Sequence, residues 1–415
     1  MSVEQTCAAA QRASRMLAGL SRARKDEALA AVGDALRRRS AEILAENDED
    51  VRLARENRLA DALIDRLLID EDRLREVEAA VRDVAALPDP VGELVDGWRL
   101  DNGVELRKVR VPLGVIAVIY EARPNVTVDA AALCLKSGNA VILRGGSAAL
   151  HTNRILAEVV QGAVIEAGLP REVVSYLGPD RRDLAELLKQ RRTVDLVIPR
   201  GGEELKEYLL EHSKVPVVYA AGGNCHVYVD AAADLEKALP IIVNAKCQRP
   251  GVCNSAETLL VHHDVAAAFL PRAAEELQRR GVELVVDKAA GEAIGDSSLK
   301  RANKTHYDTE FLALKLAVRV VASVDEAIEH ISAHGTRHSE AIVTEDLATA
   351  RRFTAEVDAA CVYVNASTRF TDGGAFGLGA EMGISTQKLH VRGPIALREL
   401  TCVKYELWGD GQVRG

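Results

Sequence analysis

Apolar and polar positions along this chain fall into two rhythms. From residue 3 to residue 86 the apolar positions recur at helical spacing, as in Leu63, Leu67 and Leu68 and again in Leu74, Val77 and Val81. That period predicts helices throughout this block, and Leu87-Pro88-Asp89-Pro90 ends it. Glu93–Val111 then alternates around Asp101-Asn102-Gly103, the pattern of a β-hairpin with a tight turn. A lone hairpin is barely stable in water, so this one is expected to lie on another surface, such as a second subunit.

From Pro112 onward, short apolar runs alternate with amphipathic segments. Strands are predicted over Val115–Tyr120, Ala140–Leu143, Val173–Leu177, Val194–Ile198 and Val215–Tyr219, with helices over Val128–Lys136, Asn153–Ala167, Leu184–Lys189 and Glu203–His212. A second block has strands over His226–Val229, Thr258–Val261, Val282–Val286, Leu314–Val321, Ala341–Val343 and Ala360–Val364. Its helices run from Leu235 into Lys246 and over Val265–Arg280, Val324–His334 and Leu347–Val357. Near-continuous apolar strands separated by helices imply an α/β fold with parallel sheets covered on both faces. Ala396–Tyr405 reads as a last strand before a polar, Gly-rich tail.

Composition narrows the function. At 415 residues the chain is too long for one core, and two or three domains are expected. A net charge of −9 and aromatics at only 4% argue against a nucleic-acid binder. No apolar run is long enough for a membrane helix, and the N-terminus lacks a signal-peptide core. Seven scattered cysteines without CxxC read as reduced thiols of a cytoplasmic protein.

The candidate chemistry gathers in a few segments. In VNAKCQRPGVCNSAET (243–258), Cys253 follows a Pro-Gly turn, where a loop can present a thiol with cations and free amides nearby. A buried core cysteine is the competing reading. Leu143-Arg144-Gly145-Gly146 and Ile198-Pro199-Arg200-Gly201-Gly202 each end a strand and open a helix, so each could hold an anion on backbone amides. Neither is GxGxxG, and tight turns with a surface Arg would look the same. With no acid close behind it, Arg144 suits a ribose 2′-phosphate, favouring NADP(H).

Tyr120–Asn125 ends another strand. Asn125 could donate to an oxyanion or merely cap the next helix, and Arg123 could pair with a phosphate or carboxylate. The run Tyr363–Gln387, rich in glycine and carrying Asn365, Ser367, Thr368 and Arg369, is expected to line a site. No metal site is expected: His262 and His263 should point apart on a strand, and Gly335 should end the helix of His330 and His334 before His338. Cys134, Cys361 and Cys402 sit in apolar runs and are expected in the core, while Cys7 lies on an amphipathic helix with no case for function.

Four segments together, EARPNVTVDAAALCLKSGNAVILRGG (121–146), LVIPRGG (196–202), NAKCQRPGVCNSAETLLV (244–261) and YVNASTRFTDGGAFGLGAE (363–381), resemble the aldehyde dehydrogenase superfamily. The resemblance implies a cofactor-binding domain over 1–92 and 113–220 and a catalytic domain over 221–390. It further implies an oligomerisation element from the hairpin (93–112) and the terminal strand (391–415). Cys253 then matches the nucleophile, Asn125 the oxyanion amide, Arg144 a basic residue at the adenosine ribose, and Glu310 the carboxylate at the nicotinamide ribose. Cys247 stands where the nearest branch carries Thr, and Ala220 stands where hydrolytic members carry an acid that activates water.

The branch resembled implies NADPH-dependent reduction of L-glutamyl 5-phosphate to L-glutamate 5-semialdehyde, with phosphate released through a Cys thioester, in proline biosynthesis. A hydrolytic or acylating aldehyde dehydrogenase of another substrate is the alternative. Arg144, Gly145, Gly146, Arg200, Gly201, Gly202 and Glu310 are expected at the NADP(H) cofactor. Arg123, Arg249 and Arg369 are expected at the small-molecule substrate, with Lys246 a further cation near the thiol. A homo-oligomer, a dimer or tetramer, and coupling to a glutamate kinase are expected; no nucleic acid and no membrane are.

Overall fold

A computed structural model describes residues 1–220 and 222–414, with Ala62 described by its backbone only. The chain divides into two compact units. The first comprises Met1–Ala220, Gly377–Gly383 and Ile395–Gly415, and the second Ala221–Phe376 and Ile384–Pro394.

The first unit opens with helices α1 (Val3–Leu17), α2 (Arg22–Arg38), α3 (Ser40–Glu56), α4 (Asp61–Leu67) and α5 (Glu71–Ala86). Ser2, Ser21 and Asp70 cap α1, α2 and α5 by accepting from first-turn amides. The hairpin follows as β1 (Leu94–Arg99) and β2 (Glu105–Pro112), and the terminal strand Thr401–Trp408 pairs antiparallel with β2 along its whole length. That terminal strand begins later than Ala396, because residues 398–400 turn in a short 3₁₀ helix first. Next come β3 (Val115–Tyr120), α6 (Val126–Lys136), β4 (Ala140–Gly145), α7 (Leu150–Glu166), β5 (Val174–Leu177), α8 (Arg181–Leu187), β6 (Leu196–Arg200) and α9 (Glu203–His212). Their parallel sheet has the order β5-β4-β3-β6, and every residue of β3 and β4 is buried. Val215–Tyr219 does not extend it. Pro216 lacks an N–H, and only a single bridge, Val197 to Val217, joins this segment to β6.

The second unit contains β7 (Cys225–Val229), α10 (Leu235–Cys247), β8 (Ala256–His262), α11 (His263–Arg279), β9 (Glu283–Val286), α12 (Lys288–Ile294), β10 (Lys300–Arg301), α13 (Lys304–Tyr307), β11 (Lys315–Val321), α14 (Val324–His334), β12 (Ser339–Val343), α15 (Leu347–Glu356) and β13 (Cys361–Val364). The sheet order is β10-β9-β11-β8-β7-β12-β13, with every pair parallel. Strand alternation sends Val227, Val229, Leu259 and Val261 into one core with α10 and α11, and Tyr228, Leu260 and Ile342 into another with α14 and α15. Each such side chain contributes about 1.5–3 kcal/mol of burial, so both faces anchor the sheet whose edge carries the thiol. The apolar-run expectation fails for Cys402, which is exposed, and Cys361 is only partly buried; both lie on strands with a face to solvent.

Candidate active site

In the second unit the chemistry lies at the amino ends of the strands. Cys253 sits half-buried in the turn just before β8. Because β7 and β8 run parallel with Cys225 opposite Ala256, the segment Gly222–Cys225 lies alongside Cys253. The Cys225 thiol is buried and donates to the Cys253 carbonyl at 3.2 Å. A Cβ on Gly223 would fall 1.4 Å from that same carbonyl oxygen, so only glycine fits there. The Gly223 N–H donates to Glu310 Oε1 at 2.6 Å. The expected cofactor carboxylate and the backbone of the expected nucleophile thus meet through one glycine.

The Gly-rich run also reaches this turn. Asn254 is buried; its side chain donates to the Thr371 carbonyl at 2.9 Å, and its own carbonyl accepts from Thr368 Oγ1 at 2.7 Å. Arg369 donates to Asn254 Oδ1 and, at 2.9 Å, to Gln248 Oε1. Burial pulls the Arg369 pKa down, as does the charge of Arg249, while Asp372 and Cys253 act the other way. Arg249 and Arg369 thus feel each other's charge near the Cys253 turn, an arrangement that an anion would relieve. Lys246 does not face solvent there. It forms a fully buried ion pair with Glu257 at 2.5 Å. Asn365 is structural: its side chain bonds both ways with the Thr344 backbone. Cys247 lines a hollow of about 400 Å³ between α10 and α11 with Leu239, Pro240 and Arg280.

In the first unit the glycine turns lie at the carboxyl ends of β4 and β6. The helix end behind LRGG holds an anion, but an internal one. Asp50 of α3 is buried and accepts from the amides of His151 (3.2 Å) and Thr152 (2.7 Å) and from the Thr152 hydroxyl (2.6 Å). An incoming phosphate would find those α7 amides taken. Arg144 instead donates to the Pro179 carbonyl at 2.6 Å and keeps a buried Nε without a hydrogen-bond partner, as does the Tyr176 hydroxyl on β5. Behind IPRGG, the Gly202 amide donates to Glu121 at 3.2 Å, and Arg200 also has an unpartnered buried Nε. A Cβ on Gly145 would overlap Asn153, and one on Gly201 would overlap Glu121 and Leu205, so these glycines permit close packing. Arg123 is exposed, next to Ala122 in left-handed backbone (φ 43°).

Asn125 stands at the start of α6, yet its side chain caps nothing. It donates to Asp129 Oδ2 at 2.9 Å. Burial pushes the Asp129 carboxyl up to about 6, against the opposing pull of Asn125 and Arg200. His262 and His263 do not point apart: β8 ends at His262, α11 begins at His263, and their rings lie 4.5 Å apart. With Asp264 they form a surface group of potential ligand atoms within 4.8 Å of one another. Gly335 does end α14 before His338, as its place in the sequence implies. Sequence reasoning missed Asp50, Asp129 and Glu257, and the close packing of Gly223 on Cys253. Only Glu257 left a trace, as a carboxylate inside the apolar run of β8.

A model of the aldehyde dehydrogenase family matches residues 1–305. The chain belongs to the aldehyde dehydrogenase family. Among its relatives is a gamma-glutamyl phosphate reductase of Thermobifida fusca, 53% identical over 99% of this chain and 98% of that protein. Another of the same name, from Syntrophomonas wolfei, is 51% identical over 98% and 96%. The crystal structure of a gamma-glutamyl phosphate reductase from Thermotoga maritima superimposes with a TM-score of 0.97 at 44% identity, covering all of both chains. An acetylating aldehyde dehydrogenase from Geobacillus thermoglucosidasius shares the fold, with a TM-score of 0.71 at 18% identity over 100% and 97%. Both α/β units and their parallel sheets are therefore those of the aldehyde dehydrogenase fold. Among the described residues, no helix is long and apolar enough to cross a membrane.

Proposed function

We propose that this chain reduces L-glutamyl 5-phosphate to L-glutamate 5-semialdehyde with release of phosphate, the step its relatives' names describe in proline biosynthesis. The observation that carries this is 53% identity to a gamma-glutamyl phosphate reductase over nearly the full length of both chains. The site supports it. Cys253 is the nucleophile: its thiolate attacks the acyl carbon, phosphate leaves, and the acyl group stays on sulfur as a thioester. Arg369 and Arg249 bind the substrate's anionic groups beside the thiol, with Arg123 a further candidate. Asn125 and the Cys253 amide stabilise the oxyanion. Ala220, where hydrolytic relatives carry a water-activating acid, leaves the thioester protected from water. The proton that returns to sulfur restores the thiol when the aldehyde departs.

The cofactor is NADP(H). Two buried guanidinium nitrogens without partners, on Arg144 and Arg200, and the unpartnered Tyr176 hydroxyl fit a phosphorylated dinucleotide. When bound, it supplies the hydride that reduces the thioester. Arg144, the Gly145-Gly146 and Gly201-Gly202 turns and Arg200 would hold its phosphates, and Glu310 its nicotinamide ribose. The chain works as a cytoplasmic homo-oligomer built on the hairpin and terminal strand. Its acyl-phosphate substrate comes from a kinase acting on glutamate.

The decisive assay is NADP⁺ reduction by glutamate semialdehyde with and without inorganic phosphate. Phosphate dependence is expected; equal rates without phosphate would point to a hydrolytic enzyme. Cys253→Ser should abolish turnover while cofactor binding persists, and full activity in that variant would exclude Cys253 as nucleophile.

A further inference from the structure

A chain of contacts leads from the Cys253 turn back to the helix that precedes it in the second unit. Cys253 and Gly223 touch through a backbone oxygen, and Gly223 holds Glu310. Two residues past Glu310, the Leu312 N–H donates to Glu257 Oε1 at 3.2 Å. The other Glu257 oxygen takes Lys246 Nζ at 2.5 Å. Lys246 lies in the last turn of α10, which leads directly into the loop of Cys253. Both members of the ion pair are 0% exposed. Taking two charges wholly out of water is a poor route to stability, since apolar residues of similar size serve as well. Leu312 adds a second oddity: its backbone is left-handed (φ 52°), a conformation that is strained for a non-glycine residue and persists only where neighbours enforce it. The amide of that strained residue is the one Glu257 holds. The charge of Glu310 also bears on Glu257.

We infer that the buried Lys246–Glu257 pair is a positioning device that fixes the Glu310 carboxylate against the Cys253 turn, through the strained amide of Leu312. Neither member touches substrate or cofactor. Lys246 fixes Glu257, Glu257 fixes the 310–312 turn, and the turn aims Glu310 at the nicotinamide ribose. The inference rests on the reading of Glu310 as that cofactor carboxylate.

The test measures KM for NADPH, kcat, and the rate of Cys253 alkylation by iodoacetamide, all in a Cys247→Ser, Cys361→Ser and Cys402→Ser background, where every other cysteine is buried. Lys246→Met with Glu257→Gln removes the pair without leaving an unpaired buried charge. It should raise KM for NADPH about tenfold or lower kcat by as much, while alkylation stays within about twofold. Should that double variant fail to fold, Leu312→Gly relaxes the turn with both charges in place and should shift the same two constants in the same direction. Unchanged constants in a folded variant would overturn the inference. Glu310→Gln separates the two ideas. If it weakens NADPH but the pair variants do not, only the positioning role falls; if it leaves NADPH unaffected, the reading of Glu310 falls and the positioning role with it.

Discussion

Asn125 bonds to Asp129, and that pairing makes a stability prediction. Burial raises the Asp129 carboxyl to about 6 in the folded chain, above its ordinary value near 3.8. A carboxyl raised on folding adds stability when protonated, below its unfolded pKa, and loses that contribution as pH rises through the folded value. At pH 8 the ionised, partly buried carboxylate is therefore a burden of about 3 kcal/mol. Asp129→Asn should melt higher than the wild type at pH 8 and level with it near pH 4. An equal gain at both values would mean that Asp129 is unperturbed. Cys253 and Arg369 could be singled out from the sequence because each stands in a polar loop, and the structure brings both to one turn, where Arg369 bonds to Asn254. Lys246 was expected as a free cation near the thiol, because its partner, Glu257, is recognisable only once α10 and β8 pack together.

At the scale of elements, the candidate residues flank opposite strand ends in the two parallel sheets. The glycine turns of the first unit follow the carboxyl ends of β4 and β6, as doubly wound sheets generally have it. Cys253, Gly223 and Glu310 of the second unit all precede their strands. The helix α7 illustrates what the sequence withholds. Its amino end looked open to a ligand phosphate, but Asp50, 102 residues before Thr152 is reckoned back along the chain, occupies it. Asp50→Ala would leave the buried Thr152 amide and hydroxyl proton without an acceptor, with only the Asn47 amide still bonded to the hydroxyl oxygen, and should destabilise the first unit by about 3 kcal/mol, read as a lower melting temperature. A loss of NADPH affinity without loss of stability would show instead that Asp50 serves the ligand. Periodicity placed Val115–Tyr120, Glu203–His212 and Val324–His334 to the residue, since each is a long, uninterrupted pattern. It failed at Val215–Tyr219, where a proline outweighs four apolar neighbours.

For the whole molecule, the three-stranded antiparallel sheet sets the expectation. Leu94, Trp98, Tyr405, Leu407 and Trp408 are all exposed on it, Trp408 at 61%. Apolar side chains gathered on strands in this way mark an interface, which here would join copies of the chain. Leu407→Glu combined with Trp408→Glu should shift the species seen by light scattering towards a monomer; an unchanged mass would place the interface elsewhere. The fold class was readable because alternating strands and helices admit few architectures. An assembly was only an expectation, because a hairpin's need for a partner does not say what that partner is or how many there are.

The exposed thiol of Cys402 has a practical side. It lies on the terminal strand, opposite Val111 of β2, in the sheet proposed to join copies of the chain. Cys7, Cys134 and Cys225 are buried, and burial raises the pKa of each. Cys247 and Cys361 are only partly buried. A maleimide dye applied briefly to a chain carrying Cys247→Ser, Cys253→Ser and Cys361→Ser would mark chiefly this strand, and energy transfer between dyes on neighbouring copies would follow association in real time, with no tag added to the chain.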